Sequence, residues 1–185
     1  MKISKYKLKK GENNIILIIK NKIKDLRHMF NHCKNLQNIN ELKYLNTKYC
    51  TNFSGMFYGC SLLNDIKPLE NWNVSNGTNF SCMFSGCSSL NDIKPLENWN
   101  VSNETNFSGM FSECSSLSDI KPLENWNVSN GTNFSYMFSE CSSLKELNLN
   151  NFNTNNVIDY NYMFDGCSDE LKMKIKNKIK GLKFK

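Results

Sequence analysis

The chain has 185 residues, 39% of them apolar, and a formal charge of +6. Its length suits one domain, and its longest apolar run, Ile15 to Ile19, is far too short to cross a membrane. The charge is divided: residues 1–50 carry twelve Lys or Arg against three acids, 51–167 four against twelve, and 168–185 seven against two, so the acidic body speaks against nucleic acid as its partner.

From the N-terminus, a Lys-rich stretch leads into Ile15–Ile19 with no apolar region long enough for an export signal. An intracellular, reducing compartment is therefore expected, in which the eight cysteines stay thiols. Ile15–Ile19 reads as a first strand, followed by a helix bearing Ile23, Leu26, Phe30 and Cys33, so residues 1–36 form an N-terminal cap and a first degenerate repeat. His28 and His32 stand four apart here, a spacing that suits a metal on one helical face, but both occupy variable slots of the repeat and read as solvent-facing.

From Met29-Phe30 onward one unit recurs. The pair returns as Met56-Phe57, Met83-Phe84, Met110-Phe111, Met137-Phe138 and Met163-Phe164, at steps of 27, 27, 27, 27 and 26 residues. Cys33, Cys60, Cys87, Cys114, Cys141 and Cys167 follow it by a constant four residues, leaving Cys50 and Cys82 outside the column. Such a period marks a solenoid, in which each unit buries its apolar face against copies of itself.

In the unit's first half, Ser89 to Lys94 reads as a strand ending at Pro95, with Leu63/Leu90/Leu117/Leu144 and Ile66/Ile93/Ile120/Leu147 as buried columns of a parallel sheet. Trp72, Trp99, Trp126 and Phe152 form an aromatic column. In the second half Phe107, Met110, Phe111 and Cys114 lie at i, i+3, i+4 and i+7, the stripe of a short helix. The column cysteines read as small buried hydrophobes, since parallel Cβ vectors suit a disulfide poorly and no Cys-x-x-Cys pair offers a zinc site. Cys82, in a variable slot, is the expected free thiol. The many Asn-x-Ser/Thr triplets, such as Asn73-Val-Ser75, are expected to satisfy backbone groups in the turns.

The order Leu-x-x-Ile, an aromatic, Asn-x-Ser-Asn, then Met-Phe-x-x-Cys-x-x-Leu resembles the BspA-like branch of the leucine-rich repeat superfamily, the bacterial surface protein repeat. The match spans about Ile15 to Cys167 and is clearest at Phe152 to Cys167. The resemblance implies an α/β solenoid of about six 26–27-residue strand-turn-helix repeats, with a parallel sheet on one side and short helices on the other. It also implies a surface or secreted location and a role in adhesion or host contact. Three central copies depart from the pattern by placing Gly77, Glu104 or Gly131 before the Thr.

The repeat domain is thus expected over residues 1–167. Residues 168–185 are expected to form a basic amphipathic capping helix, with Leu171, Ile175, Ile179 and Leu182 on one face and Ser168 as cap. No catalytic, cofactor or metal motif is present in the pattern, so a non-enzymatic protein-binding scaffold without cofactor or small-molecule substrate is the expectation. Asp65, Lys67, Asp92, Lys94, Asp119 and Lys121 flank the buried Ile column and are the candidate partner-binding face. The alternatives are contact with a membrane surface or polyanion through the basic ends, or a purely structural self-associating array, and the chain is expected to be a monomer or a weak end-to-end oligomer.

Overall fold

The computed structural model describes residues 22–146 and 156–176. Six rungs stack in parallel register, joined by bridges from Asp25 to Asn52, Asn79, Asn106, Asn133 and Asp159 in turn. The repeat solenoid expected from the spacing is therefore present. The backbone path within each rung is not the expected one.

The Met-Phe segment is not a helix. In the second rung, alternate amides reach the next rung: Phe53 N–H donates to Asn79 O (2.9 Å), Gly55 to Ser81 (2.8 Å), Phe57 to Met83 (2.9 Å) and Gly59 to Ser85 (2.7 Å). The amides between them close turns inside the rung, Met56 to Phe53 O (3.2 Å), Tyr58 to Gly55 (3.1 Å) and Cys60 to Phe57 (3.0 Å). The segment is a ribbon of overlapping β-turns. The residues before Met and before Cys take positive φ in every rung, +57° and +69° at Gly55 and Gly59. A residue in the left-handed region at every fourth position stops an α-helix from propagating, yet Phe53, Met56, Phe57 and Cys60 are all fully buried, as the i, i+3, i+4, i+7 spacing requires.

The predicted strand Ser89–Lys94 is not a strand either. The Leu and Ile columns are buried as expected, but the chain turns at Ile93 into the 3-10 helix Lys94–Leu96, repeated as Lys67–Leu69 and Lys121–Asn125. Pro in the first turn of each suits a helix start. The aspartate before the Ile turns its carboxylate onto its own chain: Asp65, Asp92 and Asp119 Oδ1 each accept from the Lys N–H two residues on, at 2.8 Å. The ladder and the short helices have thus changed places relative to the expectation. In the first half an Asx turn and the 3-10 turn hold amides locally, with Ser89 N–H reaching Ser61 O of the preceding rung at 3.2 Å, while the second half carries the run of alternate amides donated to the next rung.

Identical side chains pile on one another. The rings of Phe30, Phe57, Phe84, Phe111, Phe138 and Phe164 stack with centroids 5.5–5.8 Å apart. Trp72 and Trp99 lie 6.4 Å apart and within 4° of parallel. Each indole N–H finds a carbonyl of the preceding rung, Leu42, Leu69 and Leu96 for Trp72, Trp99 and Trp126, at 2.9–3.1 Å. These buried columns carry the stability between rungs, at roughly 1.5–3 kcal/mol per buried apolar side chain before ordering entropy is counted.

The column thiols donate backward in the same way, from Cys60 to Phe30 O, Cys87 to Phe57, Cys114 to Phe84, Cys141 to Phe111 and Cys167 to Phe138. Burial pushes Cys60 up to about 12 and Cys167 to about 11. Cys33, in the first rung, is exposed, whereas Cys82 is only partly so. All eight cysteines are free thiols, Cys82 among them, but Cys33 rather than Cys82 is the most accessible. Labelling of the native chain with a thiol-specific reagent is expected to modify Cys33 first, Cys82 more slowly, and the buried cysteines from Cys60 to Cys167 in the column only on unfolding; peptide mapping at early times checks the order.

The helix α1 covers Asp169–Lys176 with Leu171 and Ile175 buried in the core and Ser168 Oγ accepting from Leu171 N–H at 3.3 Å. Leu147, Phe152, Ile15–Ile19, Ile179 and Leu182 lie outside the described residues.

Candidate interaction surface

Asp65, Lys67, Asp92, Lys94, Asp119 and Lys121 are all exposed, and each pair recurs at the same place in three successive rungs. They do not line an open sheet, because no sheet forms there. They mark the start of each 3-10 turn, and these turns pack on one another rung by rung. Among the described residues no Asp–Lys ion pair joins the two columns. The aspartates hold backbone, while the lysine ammonium groups are left to solvent or a partner.

The turn regions between them are held by ladders of polar side chains. Asn76, Asn103 and Asn130 Nδ2 donate to Lys48, Ser75 and Ser102 O of the preceding rung at 2.6–2.7 Å. Asn73 and Asn79 accept from the backbone N–H two residues on. The Asn-x-Ser/Thr triplets therefore serve backbone satisfaction.

A second surface escaped the sequence reading. The outer side of the turn ribbon carries two positive-φ slots per rung. The slot before Met holds His28, Gly55, Cys82, Gly109, Tyr136 and Tyr162, and the slot before Cys holds His32, Gly59, Gly86, Glu113, Glu140 and Gly166. Side chains in these slots lie over the next rung. A Cβ added to Gly55 would come 2.5 Å from the His28 ring, and one added to Gly109 would come 3.0 Å from Cys82 Sγ. Where both neighbours are large, they stack: the Tyr136 and Tyr162 rings are 4.9 Å apart at 18°. His28 and His32 are exposed and sit in these slots, and the described residues contain no group of three or more His, Cys, Asp or Glu able to hold a metal.

Gly86 shows how tight the ribbon is. Its φ is +72°, and an added Cβ would lie 3.2 Å from the Gly59 Cα. Gly86→Ala is expected to cost roughly 1–2 kcal/mol, read as a lower urea midpoint with unchanged slope.

Residues 3–120 and 91–178 match the model of the family described as "Mycoplasma protein of unknown function, DUF285". No curated protein matches the chain. Among solved structures, a leucine-rich repeat protein from Eubacterium ventriosum aligns at 18% identity with a TM-score of 0.45, over 65% of this chain and 29% of that one.

Proposed function

The chain belongs to the DUF285 family, and we propose that it is a non-enzymatic protein–protein interaction scaffold, of the adhesion or host-contact kind that its BspA-like repeat pattern implies. One observation carries the reading: a rigid stack repeats the same exposed Asp/Lys arrangement three times in register, at Asp65/Lys67, Asp92/Lys94 and Asp119/Lys121. Regularly spaced groups on an ordered backbone suit a protein surface, because little conformational entropy is lost when they engage. The aspartates position the turn, so the lysines are the groups available for contact.

Capture of partner proteins from a host-cell extract tests this. Lys94→Glu with Lys121→Glu is expected to abolish capture without lowering the thermal midpoint, both side chains being exposed. Capture that survives both reversals removes this face from the proposal. The basic C-terminal segment fits a capping role better than a membrane one, since the Leu171 and Ile175 side chains of α1 are buried against the array. Removal of residues 168–185 is accordingly expected to lower stability rather than abolish salt-sensitive binding to anionic vesicles.

A further inference from the structure

We propose that the C-terminal half of the turn ribbon, around Tyr136, Tyr162, Glu113 and Glu140, docks an extended arginine-bearing segment of a partner protein. The proposal rests on the scaffold reading and names a surface and a partner chemistry for it. Three observations lead there.

The first is where the copies differ. Residues 63–89, 90–116 and 117–143 are identical at all but four of 27 positions. Two of the four are the positive-φ slots, reading Cys82/Gly109/Tyr136 and Gly86/Glu113/Glu140. Everything else on the ribbon is held constant while these two change.

The second is what the slots contain. Glycine occupies the left-handed region without a Cβ penalty, and Gly109 and Gly86 show that the rung accepts it. Tyr136, Tyr162, Glu113 and Glu140 nevertheless sit at φ of 58°, 57°, 62° and 60°. The turn geometry by itself does not demand a side chain in these slots.

The third is the chemistry that results. Two tyrosine rings are stacked across neighbouring rungs, and Tyr136 remains 46% exposed. Four residues along, Glu113 and Glu140 occupy one slot in neighbouring rungs, and both are exposed, as is Asp165. No ion pair among the described residues involves any of the three. Like charges in register repel, and a cation placed between them relieves the repulsion. A guanidinium meets both features, because its plane stacks on a phenol ring while its fork of N–H donors pairs with carboxylate. A surface of stacked tyrosines beside paired carboxylates thus selects arginine over an acidic or neutral segment.

The full chain is titrated with fluorescent (Arg-Gly)5 and (Glu-Gly)5 peptides at low and physiological salt, alongside the double variant Tyr136→Gly, Glu140→Gly. Glycine is already the resident of both slots elsewhere, so the variant is expected to melt no lower than the parent. The arginine peptide is expected to bind, to weaken with salt, and to lose affinity at least about tenfold in the variant. Absence of arginine-peptide binding, equal binding by the variant, or equal binding of the acidic peptide overturns the proposal. So does a variant that melts lower while binding unchanged, which would make the side chains structural, or a concentration-dependent mass that the variant abolishes, which would make the occupant a second copy. If Lys94→Glu with Lys121→Glu abolishes capture from extract while the glycine variant binds normally, the scaffold reading stands and this surface falls.

Discussion

Raising the pH from about 5 to about 8 is expected to destabilise the folded chain by about 2–3 kcal/mol through one residue, Glu104. This carboxylate is fully buried in the central rung, where the neighbouring copies have Gly77 and Gly131. Its Oε1 accepts from Asn106 N–H at 2.6 Å, and its Oε2 has no partner. Burial raises its pKa to about 7, against the lowering effect of backbone N–H groups of Asn106, Thr105 and Phe80. Between the ordinary value of 4.5 and about 7, the folded state keeps a proton that the unfolded chain has lost. Stability therefore falls as pH rises through that window and levels off above it. For a chain of this length the change corresponds to roughly 5–10 °C in thermal midpoint. Glu104→Gln is expected to flatten the dependence, so the difference between the two melting profiles isolates this group from the other carboxylates. A parallel pair of profiles would show that the carboxyl is solvated. The residue also interrupts the core: in the glycine rungs an added Cβ would lie 2.7 Å from Phe80 Cζ and 2.4 Å from Phe134 Cζ. In keeping with that crowding, ring contacts among the described residues join Phe53 to Phe80 and Phe107 to Phe134 but not Phe80 to Phe107.

The second large effect is positional. Phe111→Ala is expected to cost about 3–5 kcal/mol, because the ring is fully buried and stacked on both sides, against Phe84 at 5.7 Å and Phe138 at 5.8 Å. The same substitution at Phe30 is expected to cost markedly less, since that ring is only half-buried and among the described residues stacks on Phe57 alone. Urea unfolding of both variants reads the contrast. Equal losses would mean that the array's stability is not a sum of nearest-neighbour interfaces.

The proposed interaction surface was partly legible. Asp65, Lys67 and their copies could be placed outside the core because they flank a buried isoleucine, and they are exposed. What their spacing concealed was the Asx turn that assigns the aspartate to its own backbone. The positive-φ slots left a trace in the sequence, the alternation of Gly with Cys, Tyr and Glu at two fixed places in otherwise identical copies. Read as helical surface, that alternation looks like neutral variation; read as a left-handed position, it marks a backbone cost that glycine would not carry.

The repeat period by itself determined which side chains pile up. Fixed steps of 26 or 27 residues assign the Phe, Met, Cys, Leu, Ile and Trp positions to common columns whatever the backbone does between them, although Glu104 parts Phe80 from Phe107 within one column. Burial of those columns follows from the hydrophobic effect alone. The path of the backbone was decided only by the stack. Phe53, Met56, Phe57 and Cys60 carry a spacing that an α-helix and a ribbon of overlapping turns both satisfy. What separates the two is the partner of each amide, a carbonyl four residues back or one in the next rung. In an isolated segment only the first is available; with a neighbouring rung in register Phe53, Gly55, Phe57 and Gly59 donate across instead, and that choice exists only once the copies are assembled.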